Sequence, residues 1–207
     1  MQSALLIIAS VIHAAFRLAY FFYIGLTLNA QYLQQAPRTG DACREWLRFK
    51  KKASFILNAD GLTLGIVAVL GAGTLPLHVS FVWTLVVGIA LICAGVGVKV
   101  SAYRVVGIKG YYWYNFFCSD GEREYVATGI YKYLDNPMYT LGYLHAFGFA
   151  LVFRSTWGLV FAAFDVLVLW AFHFAFERPH TIFYRDEMMR LGAATTERDS
   201  LAQEEGN

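Results

Sequence analysis

Long apolar runs decide what this chain can fold into. Residues 4–28, 54–75, 79–100 and 157–176 are each predominantly apolar. Each reaches the roughly 17 to 25 residues that a helix needs to cross the hydrocarbon core of a bilayer. A backbone in lipid must satisfy its own hydrogen bonds, so such runs fold as helices. A shorter run, 138–153, is joined to the last by only Arg154-Ser155-Thr156, which predicts a helical hairpin with a tight turn. The expected fold is all-α: a polytopic integral membrane protein of about five transmembrane helices, ending in that hairpin. No internal repeat or second domain is visible. Residues 1–192 read as one domain, and 193–207, polar and without apolar period, as a flexible tail.

Composition agrees and excludes other classes. With 57% of 207 residues hydrophobic and only 15% charged, the chain is too apolar for a soluble domain of this size. A formal net charge of +2 leaves no basic surface for nucleic acid. Cys43, Cys93 and Cys118 have neither CxxC spacing nor an even count, so neither a disulfide framework nor a zinc site is expected, and no other metal site is. The first apolar run lacks a basic leader and is too long for a signal-peptide core, which predicts a retained span.

Lys and Arg set the expected orientation. Arg38, Arg44, Arg48 and Lys50 to Lys52 follow the first run. Lys99, Arg104, Lys109, Arg123 and Lys132 lie at or beyond the end of the third, and Arg178, Arg185, Arg190 and Arg198 beyond the last; the opposite side has Arg154 alone. The N-terminus is therefore expected outside, in lumen or periplasm, and the C-terminus in the cytosol. The membrane would be a bacterial inner membrane or the endoplasmic reticulum.

Two stretches on that cytosolic side carry the chemistry: GIYKYLDNPMYTLG over 129–142 and FERPHTIFYRDEM over 176–188. In the first, Asn136-Pro137 precedes an apolar run. Proline suits the first helical turn and Asn136 is expected to be its N-cap, leaving free amides and the positive end of the dipole for an anion. In the second, an apolar helix is expected to end at Phe176, where charge begins at Glu177-Arg178-Pro179-His180. Between the third and fourth runs, the aromatics of 111–117 suit a membrane interface, followed by a polar turn at Ser119-Asp120-Gly121.

The sextet LDNPMY at 134–139 resembles the phospholipid methyltransferases, membrane enzymes that methylate the amine of phosphatidylethanolamine using S-adenosylmethionine. The likeness extends over about 95–188. It takes in Gly95-Val96-Gly97, where the family has a Gly-x-Gly in its cofactor site, the Gly- and aromatic-rich link from Gly107, and FERPHTIFY at 176–184, where members carry an acidic pair, a proline and a later tyrosine. Arg178 replaces the second acid of that pair. His180 resembles the Pro-His version found in the larger branch, which starts from unmethylated phosphatidylethanolamine. The related isoprenylcysteine carboxyl methyltransferases show Arg-His-Pro-x-Tyr where this chain has Asp135-Asn136-Pro137-Met138-Tyr139, which favours a lipid amine as acceptor.

The resemblance implies S-adenosylmethionine as cofactor, a membrane phospholipid as partner, and a cofactor pocket at the cytosolic helix ends. Gly95, Gly97, Asn136, Pro137, Tyr139, Gly142, Glu177 and Arg178 are its expected cofactor contacts. A neutral amine is required for attack, and His145, His173 and His180 are the candidate proton acceptors. His173 lies one turn before Glu177 on the same face. Arg17, expensive within a span, must find a partner; with Arg104 it is a candidate for the lipid phosphate, and Tyr112 offers a ring face to a methylated ammonium. Two alternatives stay open: methylation of another membrane acceptor, such as a prenylcysteine carboxylate or an isoprenoid lipid, and a non-enzymatic membrane protein that keeps the fold.

Overall fold

The computed structural model describes residues 2–34, 41–76, 80–118, 128–134 and 136–182. The expected tail, the Ser119-Asp120-Gly121 turn, Asp135 and Tyr184 lie outside them. Among the described residues the regular structure is entirely helical. The first span is α1 (Gln2–Ala19) and α2 (Gly25–Gln34), joined by a π turn at Tyr20–Ile24. Next come α3 (Asp41–Leu70) and α4 (Phe81–Tyr111), and then the hairpin of α5 (Leu144–Val152) and α6 (Thr156–Phe172). Ser155 starts α6 as its N-cap, accepting from the Gly158 amide at 2.9 Å. Exposed Leu, Ile, Val and Phe side chains coat the outside of these helices, as a lipid-facing surface requires.

The structure corrects three expectations. Among the described residues four helices, rather than about five, are long and apolar enough to cross a membrane: Ser3–Gln31, Arg44–Leu70, Phe81–Phe116 and Thr156–Ile182. The run at 138–153 yields only the nine-residue α5. Asn136 caps no helix: its carbonyl accepts from the Tyr139 and Thr140 amides, Pro137 O accepts from Gly142 N at 2.8 Å, and a 3-10 turn at Leu141–Tyr143 intervenes before α5. The last helix does not stop at Phe176 but widens into a π turn, His173–Glu177, and continues to Ile182. That wide turn sits just upstream of Pro179, whose ring would clash with the carbonyl of an ordinary turn.

The aromatics of 111–117 contribute to the core rather than only to an interface. Tyr114 and Phe117 are buried with Trp46, Phe49, Tyr20 and Phe172. Trp46 Nε1–H donates to the Tyr112 carbonyl at 3.0 Å and its ring meets Tyr114 edge-on. The chain reaches this core because α4 is interrupted at Gly107, where φ is 63°. A Cβ there would meet no atom within 4 Å, so only backbone conformation demands the glycine. At that φ and a ψ of −174° the backbone is in a region essentially reserved for glycine. Gly107→Ala is therefore expected to cost about 1–3 kcal/mol, read as a lower melting temperature in detergent.

Candidate functional site

One polar system pins the helices together. Arg17 on α1 lies between Asp60 of α3 and Asp165 of α6. Its Nη2 is 2.8 Å from Asp60 Oδ2 and 2.7 Å from Asp165 Oδ2, and Nε donates to Asp165 Oδ1 at 2.7 Å. Arg17 also donates to the Tyr143 hydroxyl, which donates to Asp165 Oδ2 at 2.6 Å. His13, one turn earlier, reaches Asp165 Oδ1 at 3.2 Å and Thr63 Oγ1 at 3.0 Å. His13, Asp60 and Asp165 are close enough together to ligate one cation. The guanidinium already supplies positive charge to both carboxylates.

The two motif stretches meet beside this system. Glu177 is the junction. Its Oε1 accepts from Trp113 Nε1–H at 2.6 Å and from the Tyr139 hydroxyl at 2.7 Å; its Oε2 lies 3.0 Å from His173 Nδ1. His173 Nε2 is 3.1 Å from Asn136 Nδ2. An amide NH2 only donates, so Nε2 accepts from Asn136, Nδ1–H donates to Glu177, and His173 bridges the two. Trp113 takes up a left-handed φ of 52° in this arrangement, a costly backbone for a bulky residue. The π turn aims Glu177 inward, a known use of such turns at functional sites.

A cavity of about 300 Å³ joins both systems. Asn136, Tyr139, Tyr131, Trp113 and Glu177 line one part; Arg17, Asp60, Lys99, Tyr143 and His145 line another. Burial, and after it the Glu177 carboxylate, push the Tyr131 phenol above its ordinary pKa, so it is neutral at physiological pH. Gly61 of α3 and Phe149 of α5 line the cavity and are also exposed, so it opens along flanks of the apolar helices.

Of the residues singled out in the sequence, Arg17, Asn136, Tyr139, His145 and Glu177 line this cavity, and His173 supports its wall. The others fall elsewhere. Gly95 makes a helix crossing: a Cβ there would run into His145 N and come within 3.0 Å of Gly142 O. Gly97 is exposed, with open space at its Cβ position. Pro137 and Gly142 are buried in the turn behind the cavity. Arg104 and Arg178 are exposed, the latter over the Phe174 ring, and His180 stacks on Phe116. Tyr112 lies between Tyr111 and Lys50.

Asp60, Asp165, Tyr143 and Lys99 were not among the residues picked out as a site. Charge balance within the spans was the available signal. A buried Arg17 requires carboxylates, and Asp60 and Asp165 are the acidic residues inside the other apolar runs.

A phospholipid methyltransferase domain is matched over residues 83–185, the part of the chain that supplies Lys99, Trp113, Asn136, Tyr139, His145 and Glu177. A protein of Scheffersomyces stipitis named phosphatidylethanolamine N-methyltransferase is 32% identical over 143 residues, which are 65% of this chain and 17% of that protein. One of Lodderomyces elongisporus with the same name is 33% identical over 141 residues, 65% of this chain and 16% of its own length. One from Komagataella phaffii is 28% identical over 177 residues, 83% of this chain and 20% of the relative. The chain thus spans a fifth or less of the length of these curated relatives. No solved structure matches. With its Asn136 and Glu177 motifs inside the matched domain, the chain belongs to the phospholipid methyltransferase family.

Proposed function

We propose that this chain transfers methyl groups from S-adenosylmethionine to the amine of phosphatidylethanolamine, or of its mono- and dimethyl forms, toward phosphatidylcholine. The single observation that carries the reading is the Glu177 junction, where both family motifs converge on one carboxylate at a cavity wall. The residues suit a cationic amino-acid nucleoside. Glu177 offers negative charge to an ammonium or to ribose hydroxyls, and Tyr131, Tyr139 and Trp113 offer ring faces and polar edges. When bound, S-adenosylmethionine supplies the sulfonium methyl group. Asn136 and His173 act at one remove by fixing the Glu177 carboxylate.

His145 is the proton acceptor in this reading. Its Nδ1–H donates to the Gly142 carbonyl at 2.8 Å, which leaves Nε2 with its lone pair in the cavity wall. His173 has both nitrogens engaged, and His180 stands outside the cavity. Transfer to an amine needs reactants held in line and water kept away. The flank opening at Gly61 gives a bilayer lipid a sideways route to that position. By the charge asymmetry, the Glu177 end faces the cytosol, where the soluble donor is.

Methyl-labelled S-adenosylmethionine given to the purified protein in phosphatidylethanolamine micelles should yield label in methylated headgroups; label confined to a prenylated peptide would refute the lipid assignment. Gly61→Phe narrows the flank opening, with free space around the site to accept the ring. Expected is a rise in KM for lipid of about tenfold with cofactor affinity unchanged, since only substrate access is altered. An unchanged KM would close that route.

A further inference from the structure

Lys99 is a cation with no assigned task. It lines the cavity, half-buried, with its ammonium 3.4 Å from His145 Nε2 and 5.2 Å from the centre of the Tyr143 ring. Its stem lies over Gly142, where a Cβ would sit 3.1 Å from Lys99 Cγ. Gly95 brings α4 against the 142–145 turn, so both glycines set the lysine beside the histidine. Among the described residues Lys99 makes no ion pair. Arg17, the other cation of that wall, is already neutralised by Asp60 and Asp165. A partly desolvated ammonium facing a cavity without a carboxylate partner is a receptor for an oxyanion.

We propose that Lys99 receives the phosphodiester oxygen of the acceptor lipid and, in doing so, exchanges its hydrogen bond to His145 for one to the phosphate. The proposal deepens the phospholipid reading and rests on it. In the structure Lys99 donates to Nε2 and so covers the lone pair that a base needs. Two carbons separate phosphate from amine in an ethanolamine headgroup, so a phosphate held at Lys99 keeps the ammonium close to His145. Once Lys99 turns to the phosphate, Nε2 takes one proton: an N–H bond of the ammonium breaks, an Nε2–H bond forms, and a neutral amine and an imidazolium result. Lipid arrival thus uncovers its own base, and Lys99 is a substrate-binding and positioning residue.

The same ammonium chemistry would also suit the carboxylate of S-adenosylmethionine, and the test separates the two. Lys99→Met and Lys99→Arg are purified in detergent with the wild type. Binding of dihexanoyl phosphatidylethanolamine and of S-adenosylmethionine is measured by calorimetry, and steady-state kinetics are run in lipid micelles. Lys99→Met should weaken lipid binding and raise lipid KM ten- to a hundredfold, the range of a hydrogen bond to a charged group. It should hold cofactor affinity within about twofold, with a smaller fall in kcat at saturating lipid than in lipid affinity, because the ammonium is less well placed but Nε2 is uncovered. Lys99→Arg should restore most of the lipid affinity and show that the site folds. Lipid affinity unchanged in Lys99→Met would overturn the proposal, as would a loss confined to S-adenosylmethionine or a collapse of kcat alone. Wild-type protein that binds the lipid in a Lys99-dependent way yet transfers no methyl group would refute the reading of activity and leave the phosphate site standing.

Discussion

Glu177→Ala is expected to abolish measurable binding of S-adenosylmethionine while the protein stays folded. Removing the carboxylate deletes the negative charge that a cationic donor would meet, a hydrogen bond to a charged group being worth about 1.5–3 kcal/mol. It also leaves the Trp113 indole N–H, the Tyr139 hydroxyl and His173 Nδ1–H without their acceptor at a cavity wall. Each orphaned donor costs about 1–3 kcal/mol if no water reaches it, so the three side chains will turn away and the pocket will lose its shape. Affinity should fall on the order of a hundredfold or more, measured by calorimetry on detergent-purified protein. Glu177→Gln keeps one acceptor oxygen and should retain more of the fold's stability than the alanine, yet recover little affinity. Wild-type affinity in Glu177→Ala would remove this residue from the cofactor site.

The second large effect concerns stability. Arg17→Met leaves Asp60 and Asp165 buried without their guanidinium, and breaking a buried pair in this way typically costs about 3–5 kcal/mol. That is a large share of the roughly 5–15 kcal/mol that holds an ordinary domain together. The melting temperature in detergent should drop sharply. The triple variant Arg17→Met, Asp60→Asn, Asp165→Asn removes the charges together and should recover much of the loss, since the penalty lies in uncompensated charge rather than in absent attraction. A single variant that melts like the wild type would mean that the carboxylates find water or another cation.

Much of this fold was legible because apolar length is a strong signal and lipid permits few backbone solutions. The meeting of the two motif stretches was legible too: Asn136, Tyr139 and Glu177 all reach one cavity wall. What local reasoning misjudged was Asn136. Its side chain looked like a helix cap because Pro137 follows, but a distant partner, His173, takes it, and the helix starts later at Leu144. The end at Phe176 was misplaced for a related reason: a widened turn lets the helix run on past Glu177 and through Pro179. Asp60, Asp165 and Lys99 went unread because a charge inside a span announces only that a partner exists, and the partner comes from another helix. Lys99 in particular resembles an ordinary positive-inside residue until His145 is placed beside it.

The most direct test of a shared donor and acceptor chamber is an experimental structure of the protein with S-adenosylhomocysteine bound. The product is expected between Glu177, Tyr139 and Tyr131, with its sulfur turned toward His145 and Lys99. Density for it on the exposed Gly97 face of α4, or anywhere without contact to Glu177, would contradict the assignment.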